Sequence, residues 1–164
     1  GNKAHKGQTH PDVPDIQQPQ KCTGHFAAAS RRNVYVYGMN QDKKEGNVIY
    51  KPFSETGFIN DLAGAKAVIA NGGFSFISVA VYLKKPVYSF PIKKQFEQWL
   101  NAAYIQKLGY GRHFEFLSAD ALKAFLFDLP LFEKNLAGYS QAGNEQLFGK
   151  LNEVLRKTGV APLH

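Results

Sequence analysis

The stretch from Ala67 to Asn101 restricts the possible folds more than any other part of the chain. Ala67-Val68-Ile69-Ala70 is a short apolar run suited to a buried parallel strand. Asn71-Gly72-Gly73 is a turn in which a ligand can approach the backbone. Ser75 to Leu83 reads as an amphipathic helix. Lys85-Pro86 then leads into a second strand, Val87 to Phe90, closed by Pro91. Strand, glycine turn and helix N-terminus in that order make a ready anion site, because the first helical N–H groups lack acceptors and carry partial positive charge.

The flanking segments continue the alternation. Asn33 to Tyr37 and Asn47 to Tyr50 read as strands, ended by Gly38 and Pro52. Ser54 can cap a helix from Glu55 to Ala63 that carries Phe58, Ile59 and Leu62 on one face. Gln95 to Leu108 is a further helix, stopped by Gly109. Tyr110 to Phe116 is a short extended piece, Ser118 caps a helix from Ala119 to Asp128, and a last helix runs from Glu145 to Lys157. Strands alternating with helices predict an α/β fold, a Rossmann-like parallel sheet with helices on both faces. Residues 1–24 are polar and aperiodic and hold three of the eight prolines. They are expected to form an arm or linker ahead of one domain over residues 25–164. A nucleotide-binding sheet of this kind usually opens on a strand and a glycine-rich turn. Residues 1–24 offer neither, so the first unit is expected to be absent or to lie upstream.

Composition narrows the class. With 164 residues, 44% apolar and 13% aromatic, the chain can bury one real core. No apolar run approaches the roughly 20 residues that span a bilayer, and no signal-peptide pattern is visible. The single cysteine, Cys22, excludes an internal disulfide and a cysteine-based zinc cluster, and the expected compartment is cytoplasmic. The histidines do not gather into a metal site, and no metal and no cofactor is expected. His5, His10 and His25 fall near the start, His113 stands alone and His164 is terminal. A net charge of +7 suits nucleotides, nucleic acid or an anionic membrane face. No aromatic-basic motif of a nucleic-acid reader is present, so nucleic acid is not an expected partner. Lys43-Lys44 and Lys84-Lys85 read as solvated loop ends. Lys93-Lys94 differs, because it precedes Gln95-Phe96-Glu97-Gln98.

Several motifs occur in a telling order: Phe58-Ile59-Asn60-Asp61-Leu62, Ala65 to Ser75, Lys85-Pro86, Pro91 to Gln98, Asn101-Ala102 and Leu108-Gly109-Tyr110-Gly111. Together they resemble the C-terminal, donor-binding half of GT-B glycosyltransferases. The nearest look is the family 28-like or teichoic-acid-biosynthesis-like subgroup related to the peptidoglycan N-acetylglucosaminyl transferase. The resemblance covers about Asn33 to Phe116. It implies two Rossmann-like halves around a cleft, of which this chain looks like the donor half, with an N-terminal acceptor-binding half as its missing partner. The implied ligand is a nucleotide-diphosphate sugar, a UDP-sugar in the first place. The implied setting is cell-envelope glycan or glycolipid synthesis at the inner membrane face.

The resemblance also assigns roles. Gly72, Gly73 and Ser75 would surround the donor diphosphate; the bland alternative is a tight turn with Ser75 as a helix cap. Glu97 and Gln98, with Asn101 in support, would read the sugar hydroxyls, since a carboxylate accepts and an amide both donates and accepts. The alternative is a polar first helical turn favoured by the dipole. Phe53 and Val79 would lie toward the nucleobase and ribose, while Phe58 reads as core. Val79 departs from the pattern, which has a glutamate there to hold the ribose hydroxyls. Losing such a charged hydrogen bond costs roughly 1.5–3 kcal/mol. The competing readings are a non-catalytic nucleotide-sugar-binding or interaction module and an epimerase, which the scattered histidines disfavour. No residue stands out as the catalytic base.

Overall fold

The computed structural model describes residues 32–141 and 143–159. The expected arm at 1–24 lies outside them. The chain runs β1 (Val34–Val36), β2 (Lys43–Glu45), β3 (Val48–Tyr50), α1 (Glu55–Gly64), β4 (Val68–Ala70) and α2 (Phe74–Tyr82). It continues through β5 (Val87–Ser89), α3 (Phe96–Lys107), β6 (Gly111–His113), α4 (Ala119–Phe127), α5 (Leu129–Ala137) and α6 (Glu145–Lys157). One sheet has the order β1-β3-β2 and the other β4-β5-β6. The second sheet is wholly parallel, with Val68 facing Val87 and Val87 facing Gly111 across the ladders. In the first, β1 and β3 are parallel, with Val34 opposite Val48, and β2 is antiparallel.

Alternation along the strands fills both faces. Val68 and Val87 belong to one buried cluster, with Leu62 of α1, Ile77, Ala80 and Val81 of α2, and Ile105 of α3. Their neighbours Ile69 and Tyr88 belong to the other, with Leu122 and Phe125 of α4 and Leu129 and Phe132 of α5. Successive strand residues point to opposite sides, which is why one short apolar strand feeds two cores. Each fully buried side chain of this size adds roughly 1.5–3 kcal/mol. The α/β fold with helices on both faces is therefore as expected. Leu136 at the end of α5 packs into the first cluster, so this one helix contributes to both. Val34 of β1 packs against the second cluster, and Phe58 of α1 meets Phe76 of α2 at 5.8 Å between ring centres. These contacts knit the two sheets together.

Local chemistry sets the element ends. Ser54 Oγ accepts from the Gly57 N–H and Ser118 Oγ from the Ala121 N–H, the two caps read from the sequence. Two elements were not expected. β2 is Lys-Lys-Glu, exposed throughout, and lacks an apolar alternation. Its hairpin partner begins just after Gly46-Asn47, and Gly46 has φ +61°. α5 starts directly from Asp128, the C-cap of α4, with Pro130 in its first turn.

Candidate functional site

The chain leaves β4 at Ala70 and turns through Asn71, Gly72 and Gly73 into α2. Gly72 has φ +100°, a conformation that side chains with a Cβ rarely adopt. A Cβ there would sit 2.7 Å from the Gln98 carbonyl oxygen and 3.1 Å from Ser89 Oγ. Asn101 Nδ2 donates to the Gly72 carbonyl at 3.0 Å. The turn after β4 is thereby fastened to α3, the helix that follows β5. Residues far apart in sequence meet at the C-terminal ends of adjacent parallel strands, where open α/β sheets hold ligands.

α2 begins at Phe74, one residue earlier than expected, with Gly73 as N-cap and no side chain capping it. Ser75 is thus the second helical residue, exposed, and not the cap. Ile77 donates the first helical bond, to the Gly73 carbonyl at 3.1 Å. The N–H groups of Phe74, Ser75 and Phe76 therefore lack helical acceptors, and the helix dipole adds positive potential there.

Glu97 and Gln98 lie in the first turn of α3. Glu97 is exposed and Gln98 half-buried. Gln98 Oε1 accepts from the Ile92 N–H at 3.1 Å, so this side chain shapes the loop after β5 and keeps its amide NH2 to donate. Lys94 in that loop has φ +69°. Phe53 is 69% exposed and packs on Phe58 at 5.7 Å between ring centres, while Phe58 packs against the first core cluster. Val79 is half-buried against that same cluster, toward the groove between α2 and α3. It offers no hydrogen bond.

Sequence reasoning missed two features. Ser89 ends β5 fully buried, and its Oγ has no hydrogen-bond partner among the described residues. It lies directly beneath Gly72. The available signal was a small polar residue closing an otherwise apolar strand. The second feature is a polar triad beyond β1 and β3. Asp61 Oδ2 accepts from the Tyr37 hydroxyl at 2.5 Å and from Lys51 Nζ at 2.5 Å, and Lys51 also lies 4.4 Å above the Tyr35 ring. Burial, reinforced by the Asp61 hydrogen bond, pushes the Tyr37 phenol up to about 12. Burial alone would raise Asp61, but the hydrogen bonds from Lys51 and Tyr37 outweigh it and hold the carboxyl below its ordinary value.

The sign of the resulting pH dependence is fixed. Tyr37 stabilises the fold fully below its unfolded value near 10, and that contribution is lost as pH climbs through about 12. Asp61 stabilises it fully above about 4 and loses this as pH falls through its lower folded value. The expected result is a gap in melting temperature between the native chain and Asp61→Asn that is widest near neutral pH and narrows below about pH 4. Thermal melts across pH check it, and a gap independent of pH would remove the triad's role.

Among the described residues, no group of three or more histidine, cysteine, aspartate or glutamate side chains could hold a metal ion, and no helix is long and apolar enough to cross a membrane.

Two solved structures share the architecture, that of the GT-B glycosyltransferases. One is the glycotransferase of kitacinnamycin, with TM-score 0.62, 21% identity, and coverage of 84% of this chain and 42% of that one. The other is the spinosyn forosaminyltransferase SpnP, with TM-score 0.62, 13% identity, and coverage of 79% and 36%. The chain thus spans less than half the length of either. No curated protein matches it significantly. The model of the family described as "Glycosyl transferase family 1" matches residues 19–130, well over half of the sequence, and the chain accordingly belongs to glycosyl transferase family 1.

Proposed function

We propose that this chain is the donor-binding domain of a glycosyltransferase that takes a nucleotide-diphosphate sugar, a UDP-sugar in the first place. The observation that carries the reading is the fastening of the Gly72 turn to α3 through Asn101. It sets a helix N-terminus with unpaired N–H groups beside a first turn that presents Glu97 and Gln98. In this reading the diphosphate lies against Gly72, Gly73 and Ser75. Helix α2 and Lys93-Lys94 stabilise the negative charge that develops as the leaving group departs. Glu97 and the free amide NH2 of Gln98 meet the sugar hydroxyls, and Phe53 packs on the base. Val79 leaves the ribose unheld, which predicts modest affinity.

The same reading includes kinship with the family 28-like and teichoic-acid-like enzymes. It also includes an acceptor-binding N-terminal half as partner, a role in cell-envelope glycan or glycolipid synthesis, and a cytoplasmic location against the membrane. Val79 also supports a second reading, a non-catalytic nucleotide-sugar-binding module.

Calorimetric titration with UDP and UDP-N-acetylglucosamine tests the assignment. The native chain is expected to bind both. Replacing Glu97 and Gln98 together by alanine removes two or three sugar hydrogen bonds worth on the order of 1 kcal/mol each. It should therefore weaken the UDP-sugar far more than UDP. Glu97→Ala alone should show the same selectivity while keeping the Gln98 contact with Ile92. Equal losses for both ligands would make the pair a helix-start feature, and no binding of UDP to the native chain would end the donor reading.

A further inference from the structure

Helix α3 carries apolar residues on its outer face as well as on its inner one. Its buried residues are Ala102 and Ile105, yet its outer face carries Phe96 at 72% exposure, Trp99 at 51%, Tyr104 at 54% and Leu100 at 38%. These positions recur at the three-to-four-residue spacing of a single helical stripe. The C-cap Leu108 extends the stripe, and Phe74 and Tyr82 of α2 continue it across a groove of about 960 Å³. A water-facing helix surface is normally polar, and contiguous apolar patches mark interaction sites.

The charges around the stripe identify the occupant. Lys93 and Lys94 stand immediately before α3, and Lys107 sits on the apolar face with its ammonium 5.7 Å from the Tyr104 ring. None of the three joins an ion pair among the described residues, and Glu97 is the one acid on the helix. The whole chain carries +7. Tryptophan, tyrosine and phenylalanine flanked by lysines form the chemistry that settles at the headgroup level of a bilayer. The apolar rings enter the acyl boundary while the ammonium groups meet anionic headgroups.

We propose that the outer face of α3, with the adjoining rim of α2, is a docking surface for an anionic lipid bilayer. It deepens the membrane placement given under the proposed function by naming the surface. Because Phe96 and Trp99 flank Glu97 and Gln98 in the first turn, docking brings the mouth of the candidate donor site to the membrane interface.

Trp99 is the chain's single tryptophan and therefore a local reporter. Vesicles of phosphatidylcholine mixed with phosphatidylglycerol should shift its emission to the blue, and brominated lipid should quench it. Pure phosphatidylcholine vesicles should do much less. Phe96→Ser with Tyr104→Ser, both exposed positions, should lower vesicle affinity at least tenfold with the melting temperature kept. Lys107→Ala, outside the candidate donor site, should lower it about fivefold, which is about 1 kcal/mol, and added salt should mimic the loss. Absence of vesicle binding, or binding with unchanged Trp99 emission, overturns the proposal. A blue shift that grows with protein concentration and needs no lipid also overturns it and makes the face a contact between copies. UDP titration of the same serine variant separates the two ideas. Retained UDP binding with lost vesicle binding supports docking, vesicle binding kept by the variant overturns it, and absent UDP binding by a native chain that still binds vesicles removes the donor reading alone.

Discussion

Gly111→Ala is expected to cost at least about 4 kcal/mol and to leave little folded protein. Gly111 pairs with Val87 in the ladder between β5 and β6. A Cβ at this position would lie 1.9 Å from the Val87 carbonyl oxygen and within 2.8 Å of the Val87 backbone nitrogen. Both partners are backbone in a buried strand, so no side chain can swing aside. Relief requires prising β6 from β5, and β5 is the central strand of its sheet, with Val87 and Tyr88 fully buried. The outcome is read in soluble yield, circular dichroism and a thermal melt. A variant that melts within a few degrees of the native chain would mean that the strand pair adjusts far more easily than close-packed backbone allows.

Gly72→Ala is the second large effect, and it reaches the ligand as well as the fold. Alanine would have to adopt φ +100°, costing about 1–3 kcal/mol. Its Cβ would also press on the Gln98 carbonyl and on Ser89 Oγ. Together these predict a loss of about 3 kcal/mol and a melting temperature lower by roughly 10 °C. Relief of the clash moves α3 away from the turn and breaks the Asn101 hydrogen bond to Gly72. Nucleotide binding should therefore vanish even where the variant remains folded. Asn101→Ala gives the milder control, losing the fastening without the clash. Calorimetry beside thermal melts decides the matter. A Gly72→Ala variant that binds UDP like the native chain would place the diphosphate elsewhere.

Strands β1, β3, β4 and β5 were legible because each is a short apolar run, mostly β-branched or aromatic, set between turn residues. Each capped helix likewise announces itself with a serine, as at Ser54 and Ser118. Helix α5 was not read from the sequence, because Asp128 makes no side-chain cap and its boundary with α4 is that single shared residue. Strand β2 carried no apolar pattern to find, because both of its faces meet solvent. The pairing of Gly72 with α3 follows from the βαβ unit. The identity of the touching groups does not, since Asn101, Gln98 and Ser89 are brought together by crossover geometry that one-dimensional spacing leaves open. The same holds for Tyr37, Lys51 and Asp61, three residues from three segments. No sequence motif joins them, and only the ends of two parallel strands and the turn of a helix make them neighbours.

A sheet that stops in water leaves a row of bare N–H and C=O groups, which any other extended segment can use as a template. Here one edge strand of the first sheet is Lys43-Lys44-Glu45, exposed at every position, with Lys43 folded back to Glu45 and over the ring of Tyr50. A second copy approaching edge to edge would have to strip water from ammonium groups and bring like charges together. Strand β2 thus guards this edge of the sheet against fibrillar growth. It lets β3 behind it remain apolar without opening that side to a second chain.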